Sequence, residues 1–173
     1  MTYKRLRILQ TALELFAKEG FHATSTNKVA KQAGVSEGLV FKHFGNKAGL
    51  LEAILKEGEK RLLGIYASII SEEDPKLALR NTILMPFQIK VTEYDFWKLQ
   101  FKLKWELNIS GNEKMAPLVE KLVSVFTQLQ YDQPEMEAET LVLLLDGFAG
   151  ALLKNSIVDK IRFKEFLLTK YKV

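Results

Sequence analysis

Cysteine is absent from the 173-residue sequence, and histidine occurs only twice. The absence of cysteine excludes disulfide bonds and thiolate metal sites, and it fits a reducing cytoplasm. The two histidines, His22 and His43, do not make up any of the common zinc ligand sets. The sequence therefore predicts a cytoplasmic protein that needs neither a metal nor another cofactor.

The sequence also lacks the patterns of a membrane or secreted protein. Its most apolar stretch, Leu141 to Leu153, has thirteen residues and is interrupted by Asp146, whereas a membrane span needs about twenty apolar residues. The first residues do not show the apolar block and cleavage site of a signal peptide. We therefore expect no association with a membrane.

The sequence also lacks the common catalytic motifs. No nucleophile elbow, Gly-rich phosphate loop or paired-histidine spacing occurs among the serines and acidic residues. The motifs therefore argue against an enzyme. A catalytic helical bundle stays an alternative only if folding gathers a polar cluster that the sequence does not display.

What the sequence does contain is an uneven distribution of charge. Residues 1–51 hold eight Lys or Arg and three Asp or Glu, a net charge of +5, whereas residues 52–173 hold seventeen and eighteen, a net charge of −1. A basic module joined to a nearly neutral body indicates a polyanionic partner at one end of the chain. The alternative is that these lysines and arginines only form a solvated surface.

Apolar residues recur at helical spacing along nearly the whole chain, and no segment alternates like a half-buried strand. Three short helices, separated near Gly20 and Gly34, are predicted before residue 46, and a long helix from Lys47 to about Ile70. Further helices are predicted from residue 75, with a kink or break at Pro86, and over residues 94–108, 117–130, 135–155 and 162–172. The predicted fold class is all-α.

The second and third helices have the features of a helix-turn-helix. This motif needs a small residue where the two helices touch, a glycine or similar residue in the turn, and an apolar anchor beneath the second helix. Ala30, Gly34 and Val40 supply these features in order. The pattern alone is only moderately specific, because many helix pairs contain an alanine and a glycine.

The surrounding residues make the pattern much more specific. Over residues 3–52 the chain carries, in order, LELFAKEGF, TSTNKVA, AGVSEG, VFKHF and GNKAGLL. These segments resemble the DNA-binding module of the tetracycline-repressor-like (TetR) family. The resemblance implies an N-terminal three-helix helix-turn-helix domain, residues 1–46, joined to a C-terminal helical bundle, residues 47–173, for effector binding and dimerisation.

The resemblance also assigns DNA contacts to particular positions. Thr26 matches a position whose hydroxyl binds a backbone phosphate, whereas Gly38 and Leu39 match positions that face bases. His43 and Lys47 match phosphate-binding positions, and Phe41 stands where the family usually has tyrosine. The full set predicted to contact DNA is Thr26, Ser36, Gly38, Leu39, Phe41, Lys42, His43 and Lys47.

Elementary chemistry supports several of these DNA contacts. Lys47 lies in the first turn of the predicted fourth helix, where its ammonium and the free backbone N–H groups can hold one phosphate together. Leu39 can pack on a thymine methyl group, and Lys42 can reach a phosphate or a guanine edge.

An aromatic stripe runs along the predicted helix 94–108. Spacings of three, four and four residues place Tyr94, Trp97, Phe101 and Trp105 on one helical face. Such rings either pack in the core or line a pocket for a small apolar or aromatic effector. With two phenylalanines on neighbouring helices, the predicted effector contacts are Phe87, Tyr94, Trp97, Phe101, Trp105 and Phe126.

The apolar stretch from Leu141 to Leu153 has to be buried. Its pattern allows an internal core helix and a subunit interface equally. In the family that the chain resembles, two C-terminal helices of each subunit form a four-helix bundle. The residues predicted for a dimer interface are therefore Leu141, Leu145, Phe148, Leu152, Phe163 and Phe166.

The sequence as a whole predicts a bacterial, homodimeric transcriptional repressor that resembles the TetR family. Two third helices would enter successive major grooves of a pseudo-palindromic double-stranded DNA operator, about 34 to 36 Å apart. An unknown small effector would favour the conformation that does not fit DNA. A helical protein-interaction adaptor without DNA binding is the competing class.

Overall fold

The computed structural model describes residues 3–106, 112–157 and 159–173, and within these it describes the side chains of 3–102, 115–157 and 159–173. The described residues form α-helices and short 3-10 turns and contain no strand, which confirms the predicted all-α fold class. None of the described helices is long and apolar enough to cross a membrane. The helices are α1 (Tyr3–Glu19), α2 (Thr26–Gln32), α3 (Glu37–Phe44), α4 (Lys47–Ile70), α5 (Pro75–Leu84), α6 (Tyr94–Glu106), α7 (Asn112–Gln128), α8 (Pro134–Leu153) and α9 (Lys160–Tyr171).

Both ends of α5 follow from local residues. The carboxylate of Asp74 accepts hydrogen bonds from the first backbone N–H groups of α5, and Pro75 occupies its first position, where a missing N–H costs nothing. The helix ends at Leu84, and Pro86 lies in the 3-10 turn that follows. The predicted break at this proline is therefore confirmed.

The predicted start of α7 at Pro117 is wrong. The helix begins at Asn112, and the proline lies inside it. A proline prefers the first helical position but is not confined to it, and here the helix gives up one backbone hydrogen bond near its start. The break predicted after Asn108 falls outside the described residues.

The described chain forms two compact units. The first unit comprises residues 3–61 and 92–106, and the second comprises residues 62–91, 112–157 and 159–173. In the first unit α2 packs against α1 and α3, and α6 packs along α1. This unit is larger than the predicted domain 1–46, because it also takes in α6 and the N-terminal part of α4.

The second unit is built around α7 and α8, which pack along each other, and α5 packs against α7 and α9. Its core is almost entirely aliphatic and aromatic, and a buried side chain of this kind contributes roughly 1.5 to 3 kcal/mol relative to an exposed one. The largest fully buried members of this core are Ile69, Leu79, Ile83, Leu118, Leu122, Phe126 and Leu141.

Burial corrects the face of α8 that was predicted to form a dimer interface. Leu141, Leu145, Phe148 and Leu152 are only 0 to 5% exposed in a single chain. Leu141 and Leu145 belong to the core of the second unit. Phe148 lies 4.4 Å from the ring of Phe163 on α9 in a stacked arrangement. These side chains have almost no surface to offer a second chain. Phe166, in contrast, is 60% exposed.

Candidate nucleic-acid interface

Serine residues cap both helices of the helix-turn-helix. The Ser25 hydroxyl oxygen accepts from the Lys28 backbone N–H at 3.1 Å, and the Ser36 oxygen accepts from the Leu39 N–H at 3.3 Å. These bonds satisfy backbone donors that the first turn of a helix leaves without partners. Ser36 is exposed at the start of α3, and its cap bond uses only its oxygen.

The turn between α2 and α3 requires glycine and is held from α1. Gly34 has a φ of +60°, in the left-handed region that side chains disfavour. Its carbonyl accepts a hydrogen bond from the Arg7 guanidinium at 3.0 Å, and the Val35 N–H donates to the Ala30 carbonyl at 3.0 Å. The angle between the two helices is therefore set by α1 as well as by the turn.

The C-terminal end of α3 lies very close to the start of α4. A Cβ atom placed on Gly49 would stand 2.0 Å from the Phe44 carbonyl oxygen, so no larger residue fits without a backbone shift. The Asn46 side chain caps α4 by accepting from the Gly49 N–H at 2.8 Å. The third helix is thus held at both ends.

Helix α3 divides into an inward and an outward face. Val40 is fully buried and Phe44 is 9% exposed, so these two residues anchor the helix. Gly38 and Lys42 are exposed and Phe41 is 44% exposed, with nothing within 4 Å of the position that a Gly38 Cβ would occupy. Leu39 and His43 are half-buried at the margins of this outward face. A glycine, two apolar side chains, a lysine and a histidine are therefore presented on one surface.

Glu37, which the sequence interpretation did not select, connects α3 to α2. One of its carboxylate oxygens accepts from the Thr26 hydroxyl at 2.7 Å, and the other accepts from the Asn27 amide at 3.1 Å. The Thr26 bond, followed by the Asn27 bond and the charge of Lys31, lowers the pKa of Glu37 below its ordinary value. The carboxylate is therefore ionised at neutral pH. No local sequence rule pairs residues ten and eleven positions apart, but an acid directly after a cap serine was a visible signal.

The same contact occupies the hydroxyl of Thr26. A threonine hydroxyl carries one proton, and here that proton is donated to Glu37. In this arrangement Thr26 does not have a proton to donate to a phosphate. Its predicted phosphate contact would require the hydroxyl to leave the glutamate.

Lys47 stands at the first position of α4, as predicted, but its ammonium already has partners within the protein. Its Nζ donates to the carbonyls of Phe21 at 3.0 Å and His22 at 3.3 Å, and it lies 4.5 Å from the centre of the Phe21 ring. An ammonium has three N–H donors. Lys47 therefore ties the loop between α1 and α2 to α4 and keeps one N–H for a further acceptor.

The residues predicted to bind an effector are divided between the units. Tyr94, Trp97 and Phe101 belong to α6 of the first unit, where Trp97 is buried and packs edge to face on Phe96. The side chain of Trp105 lies outside the described part of the chain. In the second unit, Phe87 is half-buried beside Phe148, with ring centres 4.8 Å apart, whereas Phe126 is fully buried in the core.

Polar groups are few in the core of the second unit. Burial, and secondarily the charge of Asp146 on α8, raises the pKa of Tyr66 to about 12. Burial also raises the pKa values of Tyr131 and Tyr171, with a smaller contribution from the charge of Glu137. Among the described residues, no group of histidine and acidic side chains has an arrangement that suits a metal ion.

Comparison with known proteins agrees with this geometry. Residues 8–54 match the family of bacterial regulatory proteins called the tetR family. The helix-turn-helix transcriptional regulator YuxN of Bacillus subtilis is 29% identical over 167 residues, which cover 91% of this chain and 56% of YuxN. YvkB of the same organism is 47% identical, but over only 30% of this chain and 27% of its own. The chain thus spans less than two thirds of the length of either protein.

Solved structures share the fold over nearly the full chain. The fatty acid degradation regulator FadR from Bacillus halodurans has a TM-score of 0.74 at 19% identity, covering 96% of this chain and 93% of its own. A candidate transcriptional regulator from Saccharomonospora viridis, solved in complex with choline, has a TM-score of 0.76 at 20% identity, covering 96% and 94%. The related proteins that match in sequence are regulators of transcription and not enzymes. The solved structures share the all-α fold of this chain. The helix-turn-helix and the match over residues 8–54 show that this part of the chain is a DNA-binding domain of the tetR family of bacterial regulatory proteins.

Proposed function

We propose that this regulator is a cytoplasmic, homodimeric repressor that binds a pseudo-palindromic operator and leaves it when a small effector binds. The outward face of α3 carries the proposal. Its exposed Gly38, Phe41 and Lys42 lie opposite the buried anchors Val40 and Phe44, so the helix can enter a major groove without losing its packing.

The outward side chains divide by chemistry. Lys42 and His43, at the C-terminal half of α3, contact phosphates or a guanine edge, and the remaining N–H of Lys47 donates to a further phosphate. Gly38 allows close approach to the base edges, while Leu39 and Phe41 offer apolar contacts. Ser36 places its hydroxyl at the start of the helix. The basic groups supply affinity, and the apolar groups supply sequence preference.

The proposed dimer uses the outward face of α8 together with α9. Met136, Thr140, Leu143 and Gly147 follow one another at helical spacing and are all exposed, Leu143 by 73%. Phe166 on α9 is 60% exposed, and nothing lies within 4 Å of a Cβ built on Gly147. We therefore propose that this outward set and Phe166 form the dimer interface, in place of the buried α8 residues. The half-buried Phe163 lies at the margin of the interface.

A second copy of the chain explains why apolar residues are exposed along this face. Sedimentation at micromolar concentration tests the dimer. We expect the wild-type chain to sediment as a dimer and Leu143→Asp as a monomer of unchanged helical content. A wild-type monomer at this concentration contradicts the mechanism, because two half-sites require two linked third helices.

The proposed effector is small and apolar or aromatic. In the second unit, the half-buried rings of Phe87 and Phe163 both lie beside Phe148, which is the type of lining that apolar ligands prefer. On α6 of the first unit, Tyr94, Trp97 and Phe101 remain predicted effector contacts. Binding must favour one of two conformations to release DNA.

The test is selection of bound sequences from random duplex DNA with the full chain, followed by thermal unfolding against pools of small molecules. We expect one enriched pseudo-palindrome and at least one compound that both raises the midpoint of unfolding and lowers DNA affinity. Choline belongs in the pool because the Saccharomonospora viridis protein was solved with it. Absence of any enriched sequence would overturn the proposed function.

A further inference from the structure

Glu37 is an acidic residue on a surface proposed to bind a polyanion. It lies one residue after the Ser36 cap and one residue before the exposed Gly38, in the first turn of α3. A carboxylate there repels phosphates, so its presence costs general DNA affinity. A favourable contact between the carboxylate and DNA would offset this cost, and the hydrogen bonds of Glu37 within the protein indicate which contact it is.

The carboxylate is held in one orientation. The Thr26 hydroxyl and the Asn27 amide, both in the first turn of α2, each donate to a different oxygen of Glu37. Each oxygen of an ionised carboxylate has more than one acceptor site. Both oxygens therefore retain acceptor capacity that the protein does not use in these bonds.

An ionised carboxylate accepts hydrogen bonds and cannot donate them. In the major groove, cytosine and adenine present amino groups that donate, whereas guanine and thymine present acceptors at the corresponding edge. A fixed acceptor beside a guanine or thymine edge would place two acceptors against each other. The two classes of base are thus distinguished by the direction of one hydrogen bond.

We propose that Glu37, oriented by Thr26 and Asn27, is a specificity-determining residue that accepts a hydrogen bond from the amino group of a cytosine or adenine in each half-site. The inference rests on the proposed function, since it requires α3 to lie in the major groove. Thr26 is then a positioning residue, because its hydroxyl acts through the carboxylate.

The experiment compares the full-length wild-type chain with Glu37→Gln on the duplex selected by the wild-type chain and on every single-base replacement of it. For the wild-type chain, one position per half-site should prefer cytosine or adenine over guanine and thymine by roughly tenfold or more. A glutamine amide both donates and accepts, so Glu37→Gln should reduce that preference at the same position to about twofold or less. The same series shows which of the two amino bases is read.

A matched control separates base reading from charge. Glu14 is exposed on α1 and accepts from the Gln10 amide at 3.0 Å, so Glu14→Gln changes the net charge by the same amount away from α3. We expect this variant to keep the base preferences of the wild-type chain. Thermal unfolding of both variants shows whether the fold is retained.

Two further variants test the positioning role. Thr26→Val keeps the shape of the side chain but removes the hydroxyl, and it should weaken the preference at the Glu37 position only. Thr26→Ser keeps the hydroxyl and should therefore keep the base preference of the wild-type chain at that position. In the Glu37→Gln background, Thr26→Val should change that preference no further, because the group it positions is already gone.

The outcomes distinguish the two proposals. If Glu37→Gln binds every duplex more tightly by one common factor and keeps all base preferences, the carboxylate only repels phosphates and the inference is wrong, while DNA binding by α3 stands. If the wild-type chain prefers no sequence, both proposals fail. If Glu37→Gln changes the base preference but Thr26→Val does not, Thr26 does not position the carboxylate.

Discussion

Helices α3 and α8 are both rich in apolar residues, yet they differ in how their burial follows from the sequence. In α3, polar residues mark the outward face, and the predicted anchor Val40 is buried together with Phe44. In α8, the segment LVLLLDGFAGALL is apolar on nearly every side, and the residues predicted for the interface, such as Leu141, are buried in the core. Leu143, two positions further on, is 73% exposed.

The difference shows that the buried face of a helix can be predicted from the sequence mainly where polar residues mark the opposite face. A helix with one apolar stripe can be oriented by its period. A helix that is apolar all round has to be buried, but its pattern does not say which side meets its own core and which side meets another chain. Predictions that break or sharpen this contrast therefore change single residues on the two faces.

The largest expected effect comes from the inward face of α8. Leu141→Ala removes a fully buried side chain from the core and should lower the free energy of unfolding by roughly 2 to 5 kcal/mol. Chemical denaturation at several protein concentrations is the measurement. The loss should be similar at all concentrations, because the contacts lie within one chain.

The matched control is Leu143→Ala on the outward face. Its effect should be smaller than that of Leu141→Ala and should shrink as the protein is diluted, since it acts on the dimer and both chains become monomers at low concentration. Equal losses in both variants, independent of concentration, would contradict the assignment of the two faces.

The second prediction concerns Tyr66 on α4, a buried tyrosine that is also influenced by the charge of Asp146 in the middle of α8. The pKa of Tyr66 is raised to about 12 by burial and by the charge of Asp146. Below pH 10 both the folded and the unfolded chain keep the phenol proton, so this contribution to stability is complete there. Between pH 10 and 12 the unfolded chain loses the proton first, and stability should fall by roughly 2 to 3 kcal/mol.

Denaturation at pH 9, 10, 11 and 12 measures this loss. Tyr66→Phe keeps the ring but has no proton to lose, so its stability should fall less over the same range by about that amount. Parallel curves for the wild-type chain and Tyr66→Phe would show that the phenol is not buried as described.

The sequence allowed prediction of helices whose ends carry local signals. The starts of α4, α3 and α5 follow from Asn46, Ser36 and Asp74, because capping depends on neighbours in sequence. Contacts between distant residues were not predictable in this way. Neither the bonds from α2 to Glu37 nor the partners of Lys47 follow from a local rule, and Pro117 lies inside a helix that it was expected to begin.

The third prediction concerns Lys47, whose ammonium holds two backbone carbonyls. Lys47→Ala should lower the free energy of unfolding by about 1 to 3 kcal/mol, since both carbonyls lose a charged donor. It should also reduce the slope of log affinity for DNA against log salt by about 0.9, if the lysine contacts one phosphate.

Lys56→Ala is the control on the same helix, because Lys56 only forms an exposed ion pair with Glu52 worth less than about 1 kcal/mol. Loss of stability without a change in slope would leave Lys47 a purely structural role.

The smallest expected effect concerns the apolar part of the outward face of α3. Replacing a contacted thymine by deoxyuridine removes one methyl group and keeps every hydrogen-bonding group of the base. The wild-type chain should lose about 1 kcal/mol of binding free energy, or roughly fivefold in affinity, at such a position. Leu39→Ala should bind the thymine and uracil duplexes almost equally. Insensitivity of the wild-type chain at every thymine would exclude apolar base contacts.

The most direct test of DNA binding by the outward face of α3 is the salt dependence of affinity for the selected duplex. The full-length wild-type chain, Lys42→Ala and Lys76→Ala are compared, because Lys42 is exposed on α3 and Lys76 is exposed on α5 of the second unit. Both variants lose one positive charge. We predict that Lys42→Ala binds more weakly with a slope smaller by up to about 0.9, while Lys76→Ala matches the wild-type chain. Identical affinities and slopes for the wild-type chain and Lys42→Ala would contradict the placement of α3 on DNA.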